Sequence, residues 1–548
     1  MKNMQKEQSN KNILLQIINK IANLQVVNDD AVSRTIAKNP SMESITFSKS
    51  QVLEAYYKYK NFIRLPSDKE KKLLEGLKMK KIRTMSGVTP VAILTKPYPC
   101  PGNCVYCPND PNMPKSYLSA EPGAQRALQN QFDPYLQVYN RLLAYKNIGH
   151  PTDKVELIVL GGTWSFYSQN YQRWFIKRTF EAMNDFNSRR NKYLNVSDDI
   201  KEKKTTWEDL FIVHKKNEKA RSRCVGLVLE TRPDFMDEKE ALNLRKLGCT
   251  KIQIGVQSLD DRILDLNKRG HKVGATRKAF EILRSAGFKI HAHWMPNLYG
   301  STPTKDIEDF KKLFSDPSFC PDELKIYPCS LINNTELYQL YKEKKWKPYT
   351  EKQLINVLAN CFEITPRYCR LSRVVRDISS GDIVAGNKKS NFRQIVDDFL
   401  KSKNIKVSEI RSREIRNENV LYSELELKST VYKTTNSTEY FLEYVNKEDK
   451  IVGFLRLSLP KKENNIKELR DSAIIREVHV YGESLNLGET DMGKPQHLGI
   501  GSNLIKKAES ITLENGFKKI SVISSIGTRE YYSKRGYKLG NLYQKKKI

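Results

Sequence analysis

The sequence has no uninterrupted run of about 18 apolar residues, so we expect no membrane-spanning helix. We also expect no signal peptide, because Gln16, Asn19 and Lys20 interrupt the apolar residues that follow the polar N-terminus. No internal repeat is visible. We therefore expect a cytoplasmic protein, and its 548 residues suffice for several domains of about 150 residues each.

Acidic residues are scarce beside basic ones. The chain has 63 Asp and Glu against 94 Lys and Arg, and its net charge is +31. Such an excess favours a polyanionic partner, because Lys and Arg that neutralise phosphates release counterions. The alternative is a composition bias that places Lys at solvated positions, and we rank nucleic-acid binding ahead of it.

Apolar periodicity and turn signals divide the chain into four regions. Residues 1–85 are predicted to be helical and basic, whereas residues 86–378 alternate strands with helices, which predicts an α/β barrel or an open parallel sheet. A charge-rich stretch at 187–223 is interpreted as a surface insertion. Residues 379–415 are interpreted as a connector. Residues 416–548 predict a compact α+β module.

Three of the nine cysteines are close together in the sequence. Cys100, Cys104 and Cys107 follow a predicted strand with the spacing Cys-x3-Cys-x2-Cys. Three thiolates on one loop can hold three irons of a [4Fe–4S] cluster and leave the fourth iron open. With Tyr106 the motif matches the signature of radical S-adenosylmethionine (SAM) enzymes. A structural zinc site is the alternative, but it needs a fourth ligand and the nearest histidine is His150.

Polar residues at the ends of predicted strands extend this site. Gly161, Gly162 and Thr163 follow one strand, and Glu230 and Gln257 end two others. A glycine-rich turn in radical SAM enzymes lets the backbone approach SAM, and barrel enzymes direct strand-end side chains at one mouth. We therefore predict that these residues bind SAM, with an ordinary ion pair as the alternative for Glu230.

A glycine loop near the C-terminus predicts a second binding site. It matches Gln/Arg-x-x-Gly-x-Gly, the pyrophosphate loop of acetyl-CoA-dependent GNAT (N-acetyltransferase) folds, in which backbone N–H groups at a helix start face phosphates. No P-loop or dinucleotide-binding glycine pattern follows. The loop residues are Gln496, His497, Leu498, Gly499, Ile500 and Gly501, and the preceding strand would pair with the pantetheine arm at Val478, His479 and Val480.

Two adjacent tyrosines are candidates for proton transfer at this second site. Tyr531 or Tyr532 could protonate the departing CoA thiolate, and core packing is the alternative for either residue.

Other cysteines and histidines suggest either metal binding or ordinary burial. Cys320, Cys329 and Cys369 could form a structural zinc site near the domain junction, with buried thiols as the alternative. Cys224 and Cys249 are predicted core residues. His291 and His293 alternate on one strand, and we expect them to line the barrel rather than bind zinc.

A cysteine loop followed by an acetyl-CoA loop in one basic chain resembles the catalytic subunit of Elongator, a family of tRNA-uridine carboxymethylating enzymes. The resemblance runs from about Thr89 to the C-terminus. Eukaryotic members have a longer gap between the first two cysteines, so this chain resembles a non-eukaryotic type. The segments that carry the resemblance are 96–97, 104–108, 116–117, 121–122, 230–234, 254–258, 267–271, 324–328, 376–378, 476–482 and 527–529.

The resemblance implies both a fold and a reaction. It implies a radical SAM partial barrel at 86–378 and a GNAT-like domain at 416–548, with the acetyl group of acetyl-CoA facing the barrel mouth. A 5′-deoxyadenosyl radical would activate the acetyl methyl group, which would add to C5 of the wobble uridine before hydrolysis releases CoA. Lys325 is expected to contact the substrate or the acetyl group. The implied partners are the anticodon stem-loop of tRNA, also for residues 1–85, and an electron donor, with the protein a monomer or a homodimer.

Two other functions compete with this interpretation. A protein lysine acetyltransferase with a structural iron–sulfur cluster would need a general base beside the CoA site, for which Glu477 is the candidate. A tRNA-binding scaffold with a degenerate site is disfavoured by the complete cysteine and glycine motifs.

Overall fold

The computed structural model describes residues 2–42, 45–79, 84, 86–186, 201–416, 420–461, 463–482 and 499–548. Within these ranges no helix combines the length and the apolar character needed to traverse a bilayer.

The N-terminal helices pack around a core of their own, which includes Ile17, Ile21 and Val52. Asn28 and Ser48 accept hydrogen bonds from the first free amides of two of these helices and so fix where they begin. These helices lie in the region predicted to be helical, residues 1–85. The helices are α1 (Lys2–Ala22), α2 (Asp29–Ala37), α3 (Lys49–Ile63) and α4 (Ser67–Leu77).

The middle of the chain forms a parallel sheet of seven strands. Its order is β1-β2-β3-β4-β5-β6-β8, and the two edge strands each pair on one side only, as in a partial barrel. The predicted α/β fold is confirmed. The strands are β1 (Thr89–Leu94), β2 (Lys154–Leu160), β3 (Arg223–Thr231), β4 (Lys251–Gln257), β5 (Lys289–Trp294), β6 (Glu323–Ile326) and β8 (Arg370–Arg373), beside a small antiparallel pair, β7 (Leu331–Ile332) and β9 (Ile383–Ala385).

Helices connect these strands and cover the outer face of the sheet. β4 (Lys-Ile-Gln-Ile-Gly-Val-Gln) and β5 (Lys-Ile-His-Ala-His-Trp) alternate polar and apolar residues, so one face of the sheet carries polar side chains and the other apolar ones. The helices are α5 (Pro122–Gln129), α6 (Pro134–Asn147), α7 (Gln169–Asp185), α8 (Trp207–Asn217), α9 (Glu238–Lys246), α10 (Asp261–Leu266), α11 (Val273–Ser285), α12 (Pro303–Ser315), α13 (Glu336–Lys342) and α14 (Glu351–Ile364).

The region predicted as a connector contains two further helices, α15 (Phe392–Ser402) and α16 (Ile410–Arg413). Phe392, Val396 and Leu400 recur at helical spacing and are buried in the main core. This segment is therefore a packed part of the fold rather than only a linker.

The C-terminal module is a mixed sheet with one splayed strand pair. Residues Ala473–Ile475 of β13 pair in parallel with Ile520–Val522 of β14. Among the described residues, the rest of β13 pairs only with β12. The sheet order is β10-β11-β12-β13-β14-β16-β15. Its elements are β10 (Glu426–Lys433), β11 (Ser437–Val445), β12 (Ile451–Pro460), β13 (Ala473–Val480), α17 (Ile500–Glu514), β14 (Lys519–Val522), α18 (Arg529–Ser533), β15 (Lys538–Leu539) and β16 (Gln544–Lys547).

Candidate active site

The loop after β1 carries the three clustered cysteines, which are free and half-buried. The amide of Cys107 donates to the carbonyl of Cys104 at 3.0 Å and closes a tight turn. The Cys100 Sγ lies 3.8 Å from Thr163 Oγ1, just beyond β2. Burial and then the charge of Cys104 raise the pKa of Cys107 to about 12, so metal binding is needed to hold this group as a thiolate.

Two buried guanidinium groups face the cysteine loop. Arg269 donates from Nη1 to Cys104 Sγ at 3.6 Å. Arg232 pairs with Asp234 at 2.8 Å, yet its Nη1 is buried without a hydrogen-bond partner among the described residues. A Cβ at Gly102 would lie 2.1 Å from that Nη1, so glycine is what lets the guanidinium approach the loop. This positive charge suits an anionic group held by the loop, and the sequence alone does not place Arg269 beside the cysteines.

The three thiols fit an iron–sulfur cluster better than a single metal ion. Within the described ranges, no three His, Cys, Asp or Glu side chains converge where one ion could bind. Ligands of a single zinc ion must converge to about 2.3 Å from the metal, whereas a cubane accepts one thiolate at each of three separate irons. Three thiolates beside two guanidinium groups match the donors and the charge of such a cluster.

A cavity of about 570 Å³ opens at the carboxyl ends of the parallel strands. Glu230, Gln257 and Lys325, from β3, β4 and β6, line it together with Cys107. His293 of β5 also lines it, and its Nδ1 lies 3.6 Å from Glu230 Oε1. Strand-end side chains therefore meet the cysteine loop at one mouth, and their assignment to SAM stays a prediction.

Gln257 and Glu230 are held in unusual states. Gln257 has a φ of 68°, in the left-handed region that side chains avoid, and its Oε1 is buried without a partner among the described residues. Burial raises the pKa of Glu230 despite the opposing charge of Lys325. Local strain and perturbed carboxyl groups cluster at functional sites.

The glycine turn after β2 lies behind the cavity. Gly161 and Gly162 have φ values of 126° and 71°. A Cβ at Gly161 would lie 2.0 Å from Thr95 Oγ1, so this position requires glycine. Thr163 is buried beside Cys100. All three turn residues are described, and none of them is part of the cavity wall.

Basic side chains dominate the cavity wall. Seven Lys and Arg residues line it against three Asp and Glu residues, and Arg373, Lys388 and Lys389 are among the basic ones. Arg376 donates to Glu121 Oε1 at 2.9 Å and so joins two distant segments at the rim. A polyanion approaching this mouth meets a favourable potential.

The candidate acetyl-CoA loop is described from Gly499 onward. Gly499 has a φ of 68° and caps the start of α17 at Ile500, where the unpaired amides of a helix face a ligand phosphate most readily. The preceding loop residues Gln496, His497 and Leu498 lie outside the described residues.

The strand predicted to pair with pantetheine is the splayed part of β13. Val478, His479 and Val480 are half-buried there, beyond the point at which β14 leaves β13. Burial lowers the pKa of His479 to about 4, and its Nε2 has no partner among the described residues. This part of β13 lies beyond its parallel pairing with β14, and its pairing with the pantetheine arm stays a prediction.

The two candidate tyrosines have different surroundings. Tyr531 is 37% exposed, whereas Tyr532 is 7% exposed and packs in the main core. A Cβ at Gly501 would lie 2.6 Å from the Tyr531 hydroxyl, so that hydroxyl sits at the glycine loop. Arg535 stacks on the Tyr531 ring at 3.6 Å, and burial raises the pKa of Tyr531. Tyr531 is therefore the better placed of the two at the glycine loop, whereas Tyr532 packs in the core; proton donation by Tyr531 stays a prediction.

The acetyl-CoA strand meets the parallel sheet at the amino ends of its strands. Glu477 of β13 hydrogen-bonds to Lys289, the first residue of β5, and Arg476 pairs with Asp322, immediately before β6. The cavity lies at the opposite, carboxyl ends. The expectation that the acetyl group faces the cavity mouth stays a prediction, because these contacts place β13 itself and not the acetyl group.

Polar side chains occupy the barrel interior between these two ends. Lys289 pairs with Glu323 at 2.8 Å, and Glu323 lies 3.3 Å from His291 Nδ1. Nearer the cavity, Gln253 accepts a hydrogen bond from Lys325. The interior is polar along its length, and His291 lines it as predicted.

The predicted zinc site is wrong. Cys320 and Cys369 are buried in the main core, whereas Cys329 packs in a separate cluster with Leu298 and Leu331. No convergent set of three metal ligands exists in the described part of the chain. These cysteines act as small apolar core residues.

The prediction that Cys224 and Cys249 are core residues is confirmed. Cys224 and Cys249 are buried, and their thiols donate to backbone carbonyl groups at 3.4 Å and 3.3 Å.

Comparison with known proteins agrees with this geometry. The model of the radical SAM superfamily matches residues 98–314, and that of the radical SAM C-terminal domain matches residues 321–402. The tRNA uridine(34) acetyltransferase of Methanocaldococcus infernus is 40% identical over 505 residues, 89% of this chain and 90% of that one. Elongator complex protein 3 of Drosophila melanogaster is 36% identical over 502 residues, 88% of each chain.

A solved structure is similar along most of the chain. The archaeal Methanocaldococcus infernus Elp3 with an N-terminal deletion (1–46) has a TM-score of 0.71 and 38% identity, and the match covers 85% of this chain and 100% of that one. The chain therefore belongs to the radical SAM family that contains the tRNA uridine(34) acetyltransferases and Elongator complex protein 3.

Proposed function

We propose that this protein builds a carboxymethyl group at C5 of the wobble uridine of tRNA, using acetyl-CoA and radical SAM chemistry. The observation that carries the proposal is the cavity of about 570 Å³, where Cys107 meets Glu230, Gln257 and Lys325 under a basic rim. The names of the tRNA uridine(34) acetyltransferase relatives support the wobble uridine as the target.

Cys100, Cys104 and Cys107 would hold the [4Fe–4S] cluster. When bound and reduced by an electron donor, the cluster and SAM supply a 5′-deoxyadenosyl radical. Arg269 places a positive charge 3.6 Å from Cys104 Sγ. Arg232 adds a second positive charge beside the loop, which offsets the negative charge of the thiolates.

SAM would be held by the polar strand ends and the glycine turn. Glu230 accepts hydrogen bonds from the ribose hydroxyls. The Oε1 atom of Gln257 has no hydrogen-bond partner among the described residues, so it can accept a hydrogen bond from SAM. The turn at 161–163 brings backbone groups near the cysteine loop. Lys325, which donates to Gln253, presents its positive charge to the substrate carbonyl.

Acetyl-CoA would bind at the glycine loop and the splayed half of β13. Gly499 and Gly501 let the backbone approach the pyrophosphate. Tyr531 would donate its proton to the departing thiolate of CoA. The thioester end would then lie beside β13, where Glu477 contacts Lys289 at the start of β5.

The basic rim supports RNA as the substrate. A uridine in an anticodon loop can leave the base stack more easily than one in a duplex, and single-stranded loops are the usual targets of RNA recognition. Arg373, Lys388 and Lys389 would neutralise loop phosphates around the base.

The geometry does not favour a protein lysine acetyltransferase. That reaction needs a free general base near the thioester, and Glu477 was the candidate. Although burial by itself raises the pKa of Glu477, Lys289 and then Arg456 lower it overall, and both hydrogen-bond to it. A carboxylate stabilised in this way is a weak base.

Mass spectrometry of wobble uridine tests the proposal. Reconstituted protein is incubated with tRNA, SAM, reductant and methyl-labelled acetyl-CoA, and we expect labelled carboxymethyl uridine. Cys104→Ala should abolish the product, whereas Cys224→Ala, which removes a buried core thiol, should keep it. Equal product from both variants would contradict radical chemistry at this loop.

A further inference from the structure

A second, smaller pocket adjoins the main cavity at the free edge of β1. Its volume is about 280 Å³, just below the range typical of small-molecule sites. Arg126 of α5, Arg141 of α6 and Ala92 of β1 line both spaces, so this side pocket and the cavity share a wall.

The side pocket presents donors suited to an anion. Besides the two arginines, its polar side chains are Gln129, Asn130, Gln137 and Asn140, and among the described residues no carboxylate lines it. Guanidinium groups bind phosphate oxygens in charge-assisted hydrogen bonds. The amides of Asn130, Gln137 and Asn140 add no negative charge but already donate within the protein, so the two arginines make the contact with the anion.

Arg141 is fixed in place by the protein itself. Its guanidinium stacks on the ring of Tyr145 at 4.4 Å and donates to the Tyr145 hydroxyl at 3.2 Å. Tyr145 in turn donates to the carbonyl of Pro90 in β1 at 2.9 Å. The Nε of Arg141 is buried without a partner among the described residues, which is costly unless a ligand supplies an acceptor.

The wall beside Arg141 is also rigid. Gln137 accepts from the amide of Leu94 and donates to its carbonyl, each at 2.9 Å, and so closes the open edge of β1. The pocket is therefore a preformed part of the barrel edge, and its ligand does not have to order it.

We propose that this side pocket binds the phosphate of a nucleotide adjacent to the target uridine. The inference rests on the proposed function and names the part of the substrate that this edge of the site recognises. When the target base enters the main cavity, the neighbouring phosphates must follow the backbone across the cavity rim. Arg126 and Arg141 line both the main cavity and the side pocket, so they are the donors that such a phosphate would meet.

Neutral backbone linkages test the proposal directly. Anticodon stem-loop RNAs carrying one methylphosphonate at each phosphate next to the wobble uridine are titrated onto the full-length protein. One linkage should weaken wild-type binding about tenfold, as expected for one charge-assisted contact. The same linkage should cost nothing further on Arg141→Gln or Arg126→Gln, because the two changes remove the same contact.

Two controls separate the outcomes. Lys311→Gln, at an exposed position of α12 outside both pockets, should respond to the neutral linkage as wild type does. Should either variant fail to fold, the other completes the comparison, and Arg141→Lys, which keeps the charge, should retain part of the effect.

Three results would overturn the inference. The first is an equal loss of wild-type RNA affinity for every neutral linkage, and the second is a loss from the linkage that adds to the loss from either arginine substitution. The third is a raised SAM dissociation constant with unchanged RNA affinity in the arginine variants, which would show that the pocket binds the SAM carboxylate. Binding is measured without turnover, so a protein that shows the predicted coupling but makes no modified uridine contradicts the proposed function and not this pocket.

Discussion

Asp322 and Arg476 form a bidentate ion pair, with both N–O distances at 2.7 Å and both side chains fully buried, where the parallel sheet meets the C-terminal module. Burial alone raises the pKa of Asp322, but the charges of Arg476 and then Arg456 hold it far below its usual range. The pair joins the amino end of β6 to β13, so the cavity and the acetyl-CoA strand belong to one packed body.

Breaking this pair should destabilise the whole protein. Asp322→Ala removes one of the two carboxylates that pair with the buried Arg476 and leaves only Glu439, at 2.8 Å. Removal of one member of a buried pair costs about 3–5 kcal/mol. The free energy of unfolding in urea measures the effect. Glu463→Ala is the matched control, because it breaks an exposed pair with Arg470 at 3.1 Å and should cost less than about 1 kcal/mol. Equal costs for the two variants would contradict a structural role for the buried pair.

The cysteines of the β1 loop and those of the core should respond differently to substitution. Cys104→Ser should lose iron and the visible absorption of the reconstituted cluster, since the site then keeps only two thiolates. Cys320→Ser and Cys369→Ser should retain both, and metal analysis of the wild-type protein should find no stoichiometric zinc. If the wild-type protein holds stoichiometric zinc and Cys320→Ser loses it, the result would contradict this account and support the predicted zinc site.

The two tyrosines should separate chemistry from packing. Tyr531→Phe removes the hydroxyl at the glycine loop, and loss of a general acid typically lowers turnover by about 10²–10⁴-fold. Tyr532→Phe should retain turnover, because its ring packs in the core. Release of CoA, measured with a thiol reagent at saturating acetyl-CoA, distinguishes them. A similar loss in both variants would show that neither hydroxyl acts specifically.

Acid should destabilise the fold through His479. Its folded pKa of about 4 lies below the unfolded value, so the folded state excludes the proton and stability falls as pH decreases from about 6.5 toward 4. Between pH 7 and pH 5 this single group should remove about 2 kcal/mol from the free energy of unfolding. His479→Gln should lessen the pH dependence by that amount, and an unchanged dependence in urea titrations would contradict the assignment.

The sequence predicted the local features well because their signals are local. Strand periodicity located the parallel sheet, and the spacing of Cys100, Cys104 and Cys107 indicated their common loop. The spacing of Phe392, Val396 and Leu400 also predicts a helix, but turn residues nearby suggested a connector instead.

The features that were missed depend on tertiary packing. Arg269 is far from Cys104 in the chain, and only the fold brings the guanidinium to the thiol. The position of β13 against the barrel depends on how two domains pack. The contact between Glu477 and Lys289 that shows this packing leaves no pattern in the sequence. The zinc prediction failed for the same reason, since proximity of Cys320 and Cys329 in the sequence does not make their side chains converge.

The central claim is that the parallel-sheet domain and the C-terminal module of one chain act on the same acetyl group. Its most direct test is the fate of deuterium when the reconstituted protein turns over trideuteromethyl acetyl-CoA with SAM and tRNA. We expect mass spectrometry to find one deuterium in 5′-deoxyadenosine and two in the carboxymethyl group of the wobble uridine. Unlabelled 5′-deoxyadenosine formed together with modified uridine would contradict the claim.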